Sequence, residues 1–435
     1  MDRIAKAIRW AGAAVLVLFA EASLAQQASD PPSAPILPPG FDASLFAEGL
    51  PTPRHIAIRD NGDVYVTLRS GQAKFRPTDE PGGVMALRDT DGDGVADVVR
   101  RFGSEDVDTG LAIDGDRLYY SSMTTIYAVA LGNSLVPEGA EVVVADLPES
   151  CCGHRSKPIT LDGRGALYTQ VGSPSNACQT EQGVPGSPGL MPCTLLDEHG
   201  GVFVFSADAR NQRHARDAKR YSTGHRNIVA LEWNDAAGAL YGLMHGRDGL
   251  EQLWPERFSA DDDAELPAEE LHRIDEGDDL GWPYTYFDPR RGERMVMPEY
   301  GGDGETPAEP GGYEDPLIAF PAHWAPNDLV FYTGTQFPAR YRNGAFIAFH
   351  GAVTPRRDDV GSVVFVPMDA AGDVTGDWEV FAGGFEHLRT SANAVGRPSG
   401  VAVGPDGALF IVDDTGGRIW KVTYAASARS ADARR

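Results

Sequence analysis

The chain has 435 residues, 42% of them hydrophobic and 9% aromatic, with 50 glycines, 31 prolines and a formal net charge of −25 from 63 acidic against 38 basic residues. That charge excludes nucleic acid and anionic membrane surfaces as partners, because both demand basic patches. The length admits several domains or one large repeat domain.

The chain begins with Arg3, Lys6 and Arg9, an apolar run from Ala11 to Ala20, and the small-x-small sequence Ser23-Leu24-Ala25. This is the pattern of a secretory signal peptide, residues 1–25, too short and too poorly flanked for a stable membrane span. The mature chain is therefore expected to carry no span and to be exported, either periplasmic or secreted. Residues 26–39, rich in Pro, Ser and Ala, read as a flexible leader, 40–424 as the folded domain and 425–435 as a disordered tail.

From Phe41 one pattern recurs: an alternating apolar strand, a turn at Asp-Gly, Asn-Gly or Gly, and a second strand. It spans Ile56 to Thr67, Leu111 to Tyr120, Ile159 to Tyr168, Val229 to Tyr241, Leu329 to Phe349 and Val401 to Val412. Six such hairpins at spacings of roughly 50 to 60 residues fall in the range of propeller repeats. The fold class is all-β, a six-bladed β-propeller, with a β-sandwich as the alternative. The early strand Ala43 to Glu48 has no local partner and is expected to close the ring against Arg418 to Tyr424. Ala268 to Arg273 reads as a single helical turn.

Two insertions interrupt the pattern, Ser173 to Glu198 and Asp248 to Asp288, the second ending in Gly281-Trp282-Pro283. Long ordered insertions in compact domains are usually functional. The four cysteines, Cys151, Cys152, Cys178 and Cys193, cluster around the first of them, and in an exported chain they are expected to form disulfides. Three connectivities are open, including a vicinal Cys151–Cys152 bridge.

His154 stands at the head of a repeat, between the adjacent cysteines and the cations Arg155 and Lys157. A His where loops meet a rigid scaffold is well placed for general-base work, although a lone loop His often has no role. Its company favours chemistry: the stretches Tyr221 to Asn227 and Met244 to Asp248 occupy equivalent ends of the next repeat, and a ring of sheets builds its site from such ends. Separately, Asp89, Asp91, Asp93 and Asp97 alternate around Gly94, so hard oxygens can converge on one Ca²⁺. Arg100 in place of a bidentate Glu rules out an EF-hand.

The sequences GHRSKP (from Gly153), YSTGHRNIVALEW (from Tyr221), MHGRDGL (from Met244), EELHRIDEGDDLGWP (from Glu269), HWAPNDLVFYTGTQFP (from His323) and GRPSGVAVGPDGALFIVDD (from Gly396) carry a resemblance. Together they resemble the soluble pyrroloquinoline quinone (PQQ)-dependent sugar dehydrogenases, and most closely their sorbosone and pyranose dehydrogenase branch. The resemblance implies His154 as the base that takes the hydroxyl proton while hydride leaves for the quinone. It implies Arg226 and Asn227 at the quinone edge, Arg397 on a cofactor carboxylate, and His323 and Trp324 near cofactor and substrate. The backbone carbonyls of Gly246 and Arg247 match ligands of the cofactor's Ca²⁺. Guanidinium forks suit a planar tri-acid, and a carbonyl-bound Ca²⁺ polarises the quinone oxygen.

The chain departs from the glucose-oxidising branch in having Gly153 and Ser173 where that branch has aspartates, so another group must orient His154. The cofactor lysine of that branch has no match, with Arg356 or Arg357 as replacements. The expected function is an exported, PQQ- and Ca²⁺-dependent dehydrogenase that oxidises a sugar, sugar aldehyde or other small carbonyl or alcohol substrate. Electrons pass to a separate acceptor such as a cytochrome c or a quinone. The alternatives are a Ca²⁺-dependent lactone hydrolase on a similar ring and a non-catalytic binding propeller.

Overall fold

The computed structural model describes residues 34–69, 81–150, 154–351, 361–385 and 396–425. The signal peptide, Cys151, Cys152, Arg356 and Arg357 lie outside the described residues. The first strand, β1 (Phe41–Ala47), is left unpaired by its neighbours in sequence. Four-stranded antiparallel sheets follow in chain order. The first is β2 (Pro53–Ile58), β3 (Val64–Leu68), β4 (Gly83–Arg88) and β5 (Val98–Phe102); the second is β6 (Val107–Asp114), β7 (Arg117–Ser122), β8 (Ile126–Ala130) and β9 (Glu141–Ala145). The third comprises β10 (Ile159–Leu161), β11 (Ala166–Val171), β12 (Gly201–Ser206) and β14 (Lys219–Ser222), while β13 (Gln212–Arg213) crosses back to lie parallel to β9.

The fourth sheet is β15 (Ile228–Asn234), β16 (Ala239–Met244), β17 (Glu269–Ile274) and β20 (Ile318–Phe320), with the hairpin β18 (Thr285–Asp288) and β19 (Glu293–Val296) inserted before its last strand. The fifth is β21 (Pro326–Phe331), β22 (Ala345–Phe349), β23 (Ser362–Val366) and β24 (Glu379–Ala382). In the sixth, β25 (Pro398–Val403), β26 (Leu409–Asp413) and β27 (Arg418–Tyr424) receive β1 as their outer strand. Phe41 pairs Tyr424 and Leu45 pairs Trp420, so the two ends of the domain share one blade. This is a six-bladed propeller closed by its own first strand.

Each hairpin read from the sequence is the innermost pair of a blade, in registers such as Ile56 with Val66, Glu232 with Tyr241, and Val401 with Ile411. The segment expected to be a helical turn is instead β17. Two-sided pairing of Leu271, to Leu243 and to Ile318, imposes an extended backbone that local propensity did not forecast. The described α-helices are one or two turns long: α1 (His214–Asp217), α2 (Leu250–Leu253) and α3 (Ala260–Glu265), the last with a capping box between Ser259 and Asp262.

In five of the six blades the innermost strand carries a register shift near its head, between Pro53 and Ile56, Val107 and Leu111, Ile228 and Leu231, Pro326 and Asp328, and Pro398 and Gly400. A bulge re-aims side chains. Here the bulges all lie at one end of the channel, the end that the site occupies.

The core is a set of wedges between neighbouring blades rather than one central mass. The aromatic wedge between the fifth and sixth blades is built around Phe41, whose ring meets Phe337 at 4.7 Å, Phe381 at 5.0 Å and Tyr341 at 5.4 Å, each edge-to-face. Such geometry adds to the burial energy of each ring. Because Phe41 sits on the closing strand, this wedge couples closure to packing. Phe41→Ala is expected to cost about 3–5 kcal/mol of unfolding free energy. The check is a lower denaturant midpoint, and a loss below about 1 kcal/mol would detach closure from this wedge.

Candidate functional site

Antiparallel pairing brings the heads of the innermost strands and the tails of the second strands to the same end of the channel. There they enclose a cavity of ≈ 220 Å³ bounded by Arg54, Arg69, His154, Arg226, Asp248 and His323, among others. The cavity is dominated by cations and imidazoles, within a chain of strongly negative net charge.

His154 is 5% exposed and its Nδ1 lies 2.7 Å from the Ser173 carbonyl oxygen. Burial, with the Arg226 guanidinium adding to it, lowers the ring to about 3, so it is neutral. A neutral ring facing a carbonyl must donate from Nδ1, which leaves the Nε2 lone pair as the basic site. The orienting group that the sequence lacked as a carboxylate is therefore a backbone carbonyl. Gly172 makes the approach feasible, since a Cβ there would stand 2.5 Å from the His154 carbonyl oxygen and 2.8 Å from its Cβ.

Arg226 is 5% exposed and held on three sides. Its Nε donates to Asn176 Oδ1 at 3.1 Å, Nη1 to the Gly246 carbonyl at 2.8 Å and Nη2 to Asp248 Oδ2 at 2.6 Å. Two of the five guanidinium N–H groups then have no partner among the described residues and are available to a ligand. The Asp248 side chain is 64% accessible because it opens into the cavity. Arg226 and then His323 hold its carboxyl well below the usual range.

His323 lies with Nδ1 3.3 Å from Asp248 Oδ1 and donates from Nε2 to the Asp263 carbonyl at 2.7 Å. Burial disfavours its charge, but the Asp248 carboxylate outweighs burial and raises the ring to about 9. Its backbone and that of Ala325 are left-handed, with φ of 64° and 51°. Such strain costs about 1–3 kcal/mol per residue and concentrates at functional sites.

Glu269 supports the same region from below. Its Oε2 accepts the Gly246 N–H at 2.9 Å and its Oε1 the Ala325 N–H at 3.1 Å. Burial raises this carboxyl to about 7 despite the two donors. Across the cavity, Asp414 accepts from Arg54 Nη1 at 3.0 Å and from His350 Nε2 at 2.7 Å. Against the upward push of burial, the His350 ring and then the Arg54 guanidinium keep Asp414 ionised, whereas burial and the nearby Arg397 lower His350 to about 3 and leave it neutral.

Of the residues singled out in the sequence, His154, Arg226, Asn227, Gly246 and His323 line the cavity together. Asn227 Oδ1 is buried there without a hydrogen-bond partner. Arg397 does not line it; its Nε donates to the His350 carbonyl at 2.8 Å and its Nη2 to that of Gly351, so it supports the wall. Trp324 packs in the core against Phe349 and Trp378. The Arg247 side chain points away into a fully buried pair with Glu299, at 2.8 and 3.0 Å.

Asp89, Asp91 and Asp97 come within 4.8 Å of one another on the exposed β4–β5 turn, remote from the cavity lining. Asp93 is not in that cluster and caps the Val95 N–H at 2.8 Å. Cys178 and Cys193 form a disulfide. Among the described residues no helix is long and apolar enough to cross a membrane.

Sequence reasoning missed Arg54, Arg69, Asn176, Glu269, Asp414 and His350. Arg54 was within reach, because it stands at the head of the first inner strand as His154 stands ahead of the third. The others come from the ends of second strands, the head of the third strand β17 and an insertion, positions that no local pattern marks.

The His323–Asp248 pair has a pH signature. A histidine raised from 6.5 to about 9 stabilises the fold fully below its unfolded value and loses that contribution as pH rises through about 9. The stability advantage of the wild type over His323→Gln should therefore be greatest below about pH 6.5 and fall away through about pH 9. Chemical denaturation across that range measures it, and a constant difference would dissolve the pair.

Residues 50–421 match the Glucose / Sorbosone dehydrogenase family. A PQQ-dependent sugar dehydrogenase of Hypocrea jecorina is 24% identical over 437 residues, covering 92% of this chain and 91% of that protein. An uncharacterised Borreliella burgdorferi protein is 28% identical over 203 residues, and the match spans 48% of its length. Among solved structures, the calcium structure of Trichoderma reesei family AA12 superposes with a TM-score of 0.69 at 20% identity, over 90% of this chain and 97% of that one. The holo PQQ domain of pyranose dehydrogenase from Coprinopsis cinerea does so with a TM-score of 0.68 at 18% identity, over 91% and 98%. With a neutral, oriented His154 facing two clamped guanidinia in a ring of six blades, and a family match over nearly all of that ring, the chain belongs to the glucose/sorbosone dehydrogenase family of enzymes.

Proposed function

We propose that this chain is an exported, PQQ- and Ca²⁺-dependent dehydrogenase that oxidises a sugar or sugar aldehyde and hands the electrons to a separate acceptor. The observation that carries the reading is the joint geometry of His154 and Arg226 in one cavity: a base whose Nε2 has no partner among the described residues, beside a guanidinium with two N–H donors likewise unpartnered there. The residues present fit the cofactor. Arg54, Arg69 and Arg226 offer three guanidinia to a planar tri-acid, and the Arg69 side chain has no hydrogen-bond or ion-pair partner among the described residues. Asn227 Oδ1, buried and unpartnered, awaits a donor.

For calcium, the Gly246 carbonyl and the Asp248 and Glu269 carboxylates are hard oxygens in the same space. Bound there, the quinone supplies the hydride acceptor. The rest falls to the chain. His154 takes the substrate hydroxyl proton on Nε2, and the Ser173 carbonyl keeps the ring in the tautomer that permits it. An anionic ligand against Arg226 offsets the repulsion that this guanidinium exerts on the imidazolium.

Export is supported by the signal-peptide pattern and by the Cys178–Cys193 disulfide, which an oxidising compartment preserves. A second, structural Ca²⁺ at Asp89, Asp91 and Asp97 belongs to the same reading.

His154→Ala should lower kcat by about 10²–10⁴ while leaving PQQ titration nearly unchanged, because the base acts on the substrate. Near-normal kcat would take His154 out of the mechanism. Arg226→Ala should weaken PQQ binding by about 2–5 kcal/mol in excess Ca²⁺, followed by the visible absorption of the bound quinone. Unaltered affinity would place the quinone elsewhere.

A further inference from the structure

Arg226 cannot present its two remaining N–H groups to a ligand unless its plane is fixed, and a residue outside the blades does much of the fixing. Asn176 lies in the insertion between β11 and β12. Its Oδ1 accepts from Arg226 Nε at 3.1 Å and from the Asp248 N–H at 3.0 Å, while its Nδ2 donates to the Asp248 carbonyl at 2.7 Å. The partners settle which way the amide faces, since a guanidinium and a peptide N–H can only donate and a carbonyl can only accept. One side chain thus grips both backbone groups of Asp248 and the Nε of the arginine that Asp248 pairs with.

The grip is itself anchored. The Trp282 indole N–H donates to the Asn176 carbonyl at 3.0 Å, the Cys178 N–H donates to Ser175 Oγ at 2.8 Å, and the Cys178–Cys193 disulfide ties the segment two residues away. Trp282, Cys178 and Cys193 are buried in one apolar cluster. The Gly281-Trp282-Pro283 sequence thereby acquires a structural role, because its indole holds the turn that delivers Asn176.

We propose that Asn176 is the positioning residue of the cofactor site, orienting Arg226 and the Asp248 backbone from the disulfide-braced insertion. The inference rests on the reading of the cavity as a PQQ site only for its consequence in binding; the clamp is a property of the protein alone. Asn176 stands behind Arg226 and does not line the cavity. Its removal acts through Arg226.

The test compares wild-type protein with Asn176→Ala and Asn176→Asp, in two measurements. The first is amide hydrogen exchange at Asp248 in the protein without cofactor, alongside the thermal midpoint. The second is PQQ titration in excess Ca²⁺. Asn176→Ala should exchange the Asp248 amide faster, lower the thermal midpoint by no more than about 5 °C, and weaken PQQ binding about ten- to a hundredfold, as loss of a hydrogen bond to a charged group does. Asn176→Asp keeps both accepted bonds but turns a carboxylate oxygen toward the Asp248 carbonyl, so it should fall between Asn176→Ala and wild type.

Wild-type exchange and wild-type PQQ affinity in Asn176→Ala overturn the proposal. If wild-type protein takes up no PQQ, the cofactor reading fails, and the Asp248 amide alone decides: faster exchange in the variant retains the clamp, and unchanged exchange removes it. Should Asn176→Ala not fold, Asn176→Gln, whose longer side chain misplaces the amide, is judged by the same criteria.

Discussion

Closure of the ring by β1 against β27 is the constraint on which everything else depends. An open stack of six sheets would expose an edge and an apolar face at each end, and its inner strands would have no reason to converge. Once Phe41 pairs with Tyr424 and fills the wedge against Phe337, Tyr341 and Phe381, the inner strands face a common axis. Residues as distant as Arg54 and Asp414 then come to 3.0 Å, both almost buried. That ion pair joins the first blade to the last, so the cavity wall exists only in the closed ring.

The cavity holds buried cations by a repeated device. On one side Asp248 lies between Arg226 and His323; on the other Asp414 lies between Arg54 and His350. Each carboxylate offsets the desolvation of its guanidinium and takes a hydrogen bond from an imidazole. The two differ in the imidazole. His323 is charged because Asp248 outweighs burial, while His350 stays neutral because burial, with Arg397 adding to it, outweighs Asp414. Pairing in this manner immobilises the guanidinia without consuming all their donors, which is what a preorganised anion site requires.

The two insertions act as braces. The first, tied by its disulfide, supplies Asn176; beyond the second, the stretch that runs on from β19 to β20 carries Glu299, whose carboxylate is shared by the buried Arg247 and the Trp254 indole. Both grip the short run from Gly246 to Asp248. A segment at the tail of a strand, with Pro267 and Ala268 carbonyl oxygens so near Gly246 that no Cβ fits, needs such outside support to hold one geometry.

The fold was legible in the sequence because its signals are local. Period-2 apolar alternation around Asp-Gly and Asn-Gly turns marks each inner hairpin, and six of them spaced as propeller repeats imply the ring. His154, Arg226, Asn227 and His323 were reached through motifs that stand at blade ends. What the sequence could not carry is any relation between blades. The orienting partner of His154 is a backbone carbonyl, and no residue type announces a carbonyl's direction. Arg397 and Trp324 sit in the expected motifs yet turn to the wall and the core, because side-chain direction follows from bulges and packing. β17 lost its helical reading for a related reason, since strands on both sides decide its backbone. Contacts across hundreds of residues, such as Arg54 with Asp414, are set only when closure brings distant strands to one axis, and there the tertiary structure alone decides.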